Sequence, residues 1–496
     1  MNHALRRISL ACLVMFVLLL ANANYVQVFE AASFANDPGN ARTFDQQFSY
    51  ERGPIVTADD VPIARSKPLK GNPNGYKFLR VYPQGPVYAP ITGFSSLYNQ
   101  TGIEGAENSF LAGTAPQLSV HNLINMASGK PRQGATVQLT INSKTQQAAY
   151  QALKDSHLPS AVVALNPSTG AILAMATYPS YNPNQIAILS KQSTTNYDNL
   201  NRKASQPLVN RAIGAQFHPG STFKIITAST ALSTGDYTPQ TAINAPTNLR
   251  FPGVTAPLIN FDNEPCGDGS GKAPMIVAFY ESCNTAFGSL GDKVGDSALR
   301  REAAKFGFDD PNLQIPLGVL PSTTQFTDQQ DLTAFSAIGQ YSDLATPLQE
   351  AMLSAAIANR GTLMKPYLVA NVRAPDSLPL TTTTPSVFSH PVTPRVAGEV
   401  AQMMDQVVNN PGGTAHNIVG AEQQGFSLFA KTGTAQNGTG NGNLDDSVFT
   451  CYASVNNVPQ IAVGVIVAHG GLGADAAAPV AVNTIEAYLR SMGKIR

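Results

Sequence analysis

Apolar and polar positions divide the chain into stretches of distinct texture. Behind Arg6 and Arg7 an apolar run extends from Ile8 to Ala21; Asn22 and Asn24 then interrupt it before Tyr25, Val26, Val28 and Phe29. A spanning helix needs roughly 20 mainly apolar residues, and residues 8–29 reach that length only by including two Asn and a Gln. Ala21-Asn22-Ala23 also has the small-x-small form of a cleavage site, so anchor and cleaved signal both stay open. In either case the arginines stay in the cytoplasm and the rest of the chain is exported.

Residues 30–133 alternate short extended runs with Gly and Pro ("GNPNGYKFLRVYPQGPVYAPITGF"), as a small β-rich module does. The texture changes at "GATVQLTINSKTQQAAYQAL", which predicts a strand and then a helix capped by Ser143. Two apolar runs around Asn166 to Gly170 predict a hairpin. From Ser221 to about Arg360 the pattern is mainly helical, and 374–394 reads as a Pro/Thr-rich surface excursion. Alternation returns in "FSLFAKTGTAQ" and "SVFTCYASV", which flank the turn "NGTGNGN". "QIAVGVIVAHGG" follows, and a helix closes the chain. Strands at both ends of this region with helices between them predict an α+β fold with an antiparallel sheet.

Composition changes this picture little. The formal net charge is zero and 13% of residues are charged, so nothing favours nucleic acid binding. Cys12 lies in the apolar run, which leaves Cys266, Cys283 and Cys451 in an oxidising compartment. Cys266 and Cys283 enclose a short loop, where a bridge would contribute about 3 kcal/mol; the alternative is that all three are small buried residues.

Three short stretches could carry chemistry. In "HPGSTFK", Pro219-Gly220 ends a loop, Ser221 falls at the start of a helix and Lys224 follows at i+3 on the same face. Ser282-Cys283-Asn284 and Lys431-Thr432-Gly433, followed by Thr434, come later. A serine hydroxyl needs a neighbouring base. Lys224 can be that base only when neutral, a state that burial and a second cation such as Lys431 both favour. Ser282 is placed to relay a proton, and Asn284 offers a donor and an acceptor to a peptide amide. The amides of Ser221 and Thr434 would make a two-donor oxyanion hole. Lys431, Thr432 and Thr434 would grip a carboxylate, with Gly433 leaving substrate room against the strand. Taken singly, each has an ordinary role: Ser221 as an N-cap, Lys224 as a solvated lysine, Ser282 and Asn284 as turn residues, and Lys431 as an edge-strand charge. Their order on an exported chain argues for the chemistry.

With these three motifs, and with "RGPI", "VYPQGPVYAPITGF", "VVALNPSTGAILAMATYPSYNPN", "NRAIGAQFHPGSTFK", "PCGDG", "SCNTAF" and "ATPLQEAMLSAAIANRG", the chain resembles the class B penicillin-binding proteins, of the actinobacterial penicillin-binding protein A type, over most of its length. The resemblance implies a cytoplasmic tail (1–7), an uncleaved single-pass anchor in the cytoplasmic membrane (8–29), an N-terminal non-catalytic module (30–133) and a transpeptidase domain (134–496). That domain would carry a five-stranded antiparallel sheet flanked by helices. Implied roles are Ser221 as acylated nucleophile, Lys224 as its base and Ser282 as the second catalytic serine. Asn284, Lys431, Thr432, Gly433 and Thr434 would bind substrate. The implied substrate is a peptidoglycan stem peptide ending in D-Ala-D-Ala, which β-lactams mimic; cell-wall synthesis or division proteins are implied partners, and no cofactor or metal is.

The sequence departs from the family pattern at 447–455. Relatives tend to carry a His-Ala-Trp-like strand where this chain has Phe449, Cys451 and Tyr452, and it has no Trp anywhere. Competing readings are a D,D-carboxypeptidase, a serine β-lactamase and a non-catalytic cell-wall scaffold. The lactamase needs a water-activating group, and no convincing Glu motif stands between Ser282 and Lys431.

Overall fold

The computed structural model describes residues 3–28, 30, 47–70, 75–325, 327, 329–416, 418, 425–436 and 445–496. The turn at 437–443 lies outside them, as do the first two residues of the tail, residue 29, and 31–46 of the 30–133 module. Helix α1 (His3–Val28) carries the apolar run; over Leu5–Val28 it is the one helix among the described residues long and apolar enough to cross a membrane.

The N-terminal module supplies three strands to a six-stranded sheet, but its second half is helical (Gly85–Thr92, Gly102–Ala106, Asn108–Leu111, Ser119–Ala127) where the Gly- and Pro-punctuated sequence reads as short extended runs. The spatial order of the sheet is Pro379–Thr382, Val369–Arg373, Thr136–Leu139, Ile55–Val56, Pro62–Pro68 and Phe78–Val81. Two of these strands come from the far end of the chain. The segment read as a surface excursion thus contributes Pro379–Thr382, pairing with Val369–Arg373, which in turn pairs with Thr136–Leu139. A short amphipathic helix, α2 (Ser119–Ala127), precedes Thr136–Leu139.

Within the module a charged cluster is fully enclosed. Arg52 Nε donates to Glu104 Oε2 and Arg80 Nε to Glu104 Oε1, both at 2.6 Å, and the Tyr82 hydroxyl lies 3.1 Å from Oε1. Burial alone would raise the Glu104 carboxyl, but the two guanidiniums overcome that and hold it below its usual range.

Helix α3 (Ser143–Asp155) forms where predicted, but its cap is Asn142, whose Oδ1 accepts from Thr145 N at 3.0 Å. Ser143 is the first helical residue, and its amide donates to Asp59. Strands β1 (Ser160–Leu165) and β2 (Ile172–Tyr178) form the expected hairpin. Asn166 Oδ1 accepts from Ser168 N and Thr169 N in its turn, and Gly170 takes the left-handed conformation that the turn requires.

Then follow α4 (Lys224–Thr234), α5 (Met275–Tyr280), α6 (Asn284–Val294), α7 (Pro347–Ala358) and α8 (Pro394–Asn409). Strands β3 (Ser427–Ala435), β4 (Asp446–Val455) and β5 (Val458–Val467) come next, and α9 (Ala477–Ser491) closes the chain. The sheet order is β3-β4-β5-β1-β2, antiparallel throughout. Every residue of β1 is buried, as is β4 up to Ser454, so both faces of the sheet are covered. Helices α3 and α9 pack together against it, while α7 crosses β5 and β1 and meets α8. Among the described residues β3 is an edge strand of this sheet.

Candidate active site

Ser221 sits where three segments meet at the free edge of β3. It lies in a 3-10 turn, Gly220–Phe223, that runs directly into α4. The α-helix proper thus begins at Lys224, one turn later than the sequence predicts, because Gly220 bends the chain with φ +55°. Two bonds fix the turn: Gly220 N donates to Gly339 O at 2.9 Å and Thr222 Oγ1 to Pro219 O at 2.8 Å. Helix α4 is buried along its whole length through Leu232, so Ser221 stands on a rigid support.

Ser282 occupies the tight turn between α5 and α6. It is left-handed, with φ +62°, a strained conformation for a residue with a side chain. The next residue, Cys283, is joined to Cys266 in a disulfide, and Cys283 N donates to Ala278 O at 2.9 Å. Cys451 is buried and unpaired. Asn284 opens α6, its Nδ2 donating to Ile259 O at 3.2 Å, which turns Oδ1 toward Lys224.

β3 delivers Lys431 from below. Its Nζ donates to Ser282 Oγ at 2.9 Å and to Thr432 O at 3.1 Å. Thr432 Oγ1 lies 2.7 Å from Thr414 Oγ1, on the loop after α8. Gly433, read from the sequence as leaving substrate room against the strand, also leaves room for the turn that bears Ser221: a Cβ there would stand 2.7 Å from Pro219 O. The same packing explains Gly220, whose Cβ would meet Thr434 O at 2.7 Å. Thr434 is half-buried beside that turn.

The hydrogen bonds around Lys224 decide its chemistry. Its Nζ lies 2.6 Å from Ser282 O, 2.8 Å from Asn284 Oδ1, 2.9 Å from Ser221 Oγ and 3.3 Å from Ser282 Oγ. The first two partners can only accept. A neutral amine has two N–H bonds and one lone pair. Spending both donors on the two carbonyl oxygens leaves the lone pair for a hydroxyl, and Ser221 Oγ is the nearer. Lys224 and Lys431 are both fully buried. Burial, and then the charge of Lys431, push Lys224 well below the ordinary lysine range; burial lowers Lys431 to about 7. The structure thus brings Ser221, Lys224, Ser282, Asn284 and Lys431 into one hydrogen-bonded cluster, from positions up to 210 residues apart.

Sequence reasoning passed over Thr414, whose "PGGTA" setting reads only as a turn, and Glu350. The latter is fully buried on α7, with neither carboxyl oxygen in a well-formed hydrogen bond. Burial raises it to about 8, with the Thr222 hydroxyl partly countering the shift. Glu350 therefore holds its proton at neutral pH, which does not suit a water-activating base. Phe449 and Cys451, at the departure from the family pattern, are wholly buried, and Tyr452 stacks on Phe429 with ring centres 4.5 Å apart.

Residues 160–486 match the family model described as penicillin binding protein transpeptidase domain, and 52–137 match penicillin binding protein A dimerisation domain. The chain is 40% identical to peptidoglycan D,D-transpeptidase PbpA of Mycolicibacterium smegmatis, over 99% of each chain. To PbpA of Mycobacterium tuberculosis it is 37% identical, again over 99% of each. Among solved structures, the ceftriaxone acyl-enzyme complex of penicillin-binding protein A from M. tuberculosis superimposes with a TM-score of 0.83 at 36% identity, covering 90% of this chain and 100% of that one.

Proposed function

The chain belongs to the penicillin-binding protein transpeptidase family, and on that premise we propose that it cross-links peptidoglycan stem peptides through an acyl-enzyme on Ser221. Ser221 gives its proton to Lys224 Nζ as Oγ bonds to the penultimate D-Ala carbonyl. The developing oxyanion is held by the amides of Ser221 and Thr434. When the C–N bond breaks, the proton passes by way of Ser282 to the nitrogen of the departing D-Ala. An amine from a neighbouring stem then attacks the ester, yields its proton along the same path and releases Ser221. One peptide bond is exchanged for another and no cofactor is needed. Lys431, Thr432 and Thr434 hold the terminal carboxylate. Asn284 holds the stem backbone with its second Nδ2 hydrogen, and Gly433 lets the nucleophile's turn close on the strand. β-Lactams, mimics of that terminus, acylate Ser221 here; the M. tuberculosis relative forms acyl-enzyme complexes with ceftriaxone, imipenem and penicillin G.

The same reading divides the chain into a cytoplasmic tail (1–7), a single-pass anchor (8–29), an N-terminal module (30–133) and a transpeptidase domain (134–496). The bulk of the chain then stands outside the cytoplasmic membrane, where cell-wall synthesis or division proteins can meet it.

The observation that carries the proposal is the buried Lys224 Nζ lying 2.9 Å from Ser221 Oγ, held there by Ser282 O and Asn284 Oδ1. Intact-mass spectrometry after penicillin exposure tests it. The native chain gains one drug mass and Ser221→Ala gains none; an adduct on Ser221→Ala would overturn the assignment.

A further inference from the structure

We infer that helix α2 is a membrane-surface contact: its outward face lies in the lipid headgroup layer of the bilayer that holds α1. This inference rests on the reading of α1 as an anchor.

α2 is amphipathic in the reverse sense from a core-facing helix. Its polar side is tied to the protein, with Asn122 Nδ2 donating to Gly113 O at 2.8 Å and His121 Nδ1 lying 3.6 Å from Asp376 Oδ2. Its apolar side faces out: Val120, Leu123, Ile124 and Met126 are 68, 62, 57 and 71% exposed, and no residue of the helix is buried. Large apolar side chains clustered in this way mark an interaction site.

Three observations favour lipid as the occupant. The first is position. Arg132, just past the helix, lies 4.5 Å over the Tyr50 ring, and Gln133 pairs with Glu51. Residues 50 and 51 lie close to Gln47, where the described part of the module begins, so α2 sits at the end of the module that the anchor's connecting segment reaches. Residues 29–46 span at most about 60 Å fully extended, which keeps that end within reach of the bilayer at high effective concentration. The second is charge. Lys130, exposed, and Arg132 follow the helix directly, and the chain from 108 to 154 carries no carboxylate; Asp376 and Glu51, from other segments, lie on the protein side against His121 and Gln133. Cations beside an apolar face suit the phosphates of an interface. The third is area. A nine-residue helix falls far short of the roughly 20–30 residues a side of a stable protein interface, whereas a lipid surface sets no such minimum.

The chain has no tryptophan, so a single introduced one is an unambiguous reporter. Full-length Leu123→Trp, Val17→Trp on α1 and Phe261→Trp, an exposed site in the catalytic domain, are reconstituted separately into vesicles containing brominated phospholipid. The expected result is blue-shifted emission that loses most of its intensity to bromine for Leu123→Trp and Val17→Trp, with no loss for Phe261→Trp. Adding Ile124→Glu to Leu123→Trp restores the emission and leaves β-lactam acylation of Ser221 unchanged. Quenching of Val17→Trp without quenching of Leu123→Trp overturns the inference and leaves the anchor standing. Absence of quenching at both positions overturns the anchor and the inference together. A concentration-dependent blue shift of Leu123→Trp without bromine quenching assigns the face to a second copy and also overturns the inference.

Discussion

Lys224 and Lys431 reach the same oxygen: their Nζ atoms lie 3.3 and 2.9 Å from Ser282 Oγ. Two buried amines joined through one hydroxyl cannot both stay charged at low cost. Burial, and then the charge of Lys431, push Lys224 well below the ordinary lysine range, so it is the one disposed to give up its proton to a nearby acceptor. Replacing it by methionine keeps the apolar stem and removes the base. Acylation of Lys224→Met by a fluorescent penicillin should slow by about 10²–10⁴-fold. In the native chain the acylation rate should rise with pH, with its midpoint well below the ordinary lysine value of 10.5. Acylation of Lys224→Met at the native rate would remove Lys224 from the role of base.

The depressed pKa of Lys431 predicts how stability varies with pH. Between about 7, its folded value, and 10.5, its ordinary one, the unfolded chain binds the proton and the folded chain does not. Stability therefore rises with pH through that window, and is lowest below 7, where folding must bury the cation. Glu350 works in the opposite direction between 4.5 and about 8, so the comparison must be made against a variant. Melting temperatures of Lys431→Met from pH 6 to 10 should climb less steeply than those of the native chain. Parallel curves would contradict the assignment.

The Cys266–Cys283 bridge closes a loop across a sequence separation of 17 and holds the strained turn bearing Ser282. Converting both cysteines to serine should cost about 3 kcal/mol in the loop-entropy account. Ser282 would also be freed from its place between the lysines. Acylation measured well below both melting temperatures should fall as well, whereas a bridge that only stabilised the fold would leave that rate unchanged.

Among the described residues, Glu104 is the sole carboxylate bonded to Arg52 and Arg80 in the N-terminal cluster. Glu104→Gln would leave two guanidiniums buried without a counter-charge, and should cost about 3–5 kcal/mol, read as a fall in the urea midpoint. Acylation by the protein that remains folded should be unaffected, because the cluster makes no contact with Ser221.

These two groups show what the sequence discloses. The Ser221–Lys224 spacing is local, and one helical turn aligns the pair wherever it occurs. The order of the other motifs identified their partners, and the alternation in 427–435 and 447–455 located the strands. Glu104 gave no such signal: it stands in a stretch that reads as short extended runs between turns, and its two arginines lie 52 and 24 positions away. The pairing of Val369–Arg373 with Thr136–Leu139 was equally hidden, because the exposed threonines after it resemble a loop and the pairing is long-range. Ser143 failed as a cap for a smaller reason: Asn142, one position earlier, is at least as good an N-cap and takes the Thr145 amide.

Gly433 is the clearest case in which the reason for a residue lies in a distant segment. A Cβ at this position would stand 2.7 Å from Pro219 O, 3.0 Å from Val448 Cβ and 3.1 Å from Thr222 Cγ2. Val448 belongs to the neighbouring strand and cannot yield without disturbing the sheet. The Pro219 carbonyl accepts the bond from Thr222 Oγ1 that fixes the turn. The clash must therefore move the turn, and Ser221 with it, away from Lys224. Overpacking of this kind costs typically 1–3 kcal/mol of stability, while misplacing a reacting group by about 1 Å can cost 10²-fold in rate. Gly433→Ala should accordingly fold, melt a few degrees lower and be acylated by penicillin about 10²-fold more slowly. Gly398→Ala on α8, where the added methyl meets nothing within 4 Å, is the matched control and should acylate at the native rate. If Gly433→Ala also reacted at the native rate, Gly433 would not be keeping room for the turn that holds Ser221 beside its base.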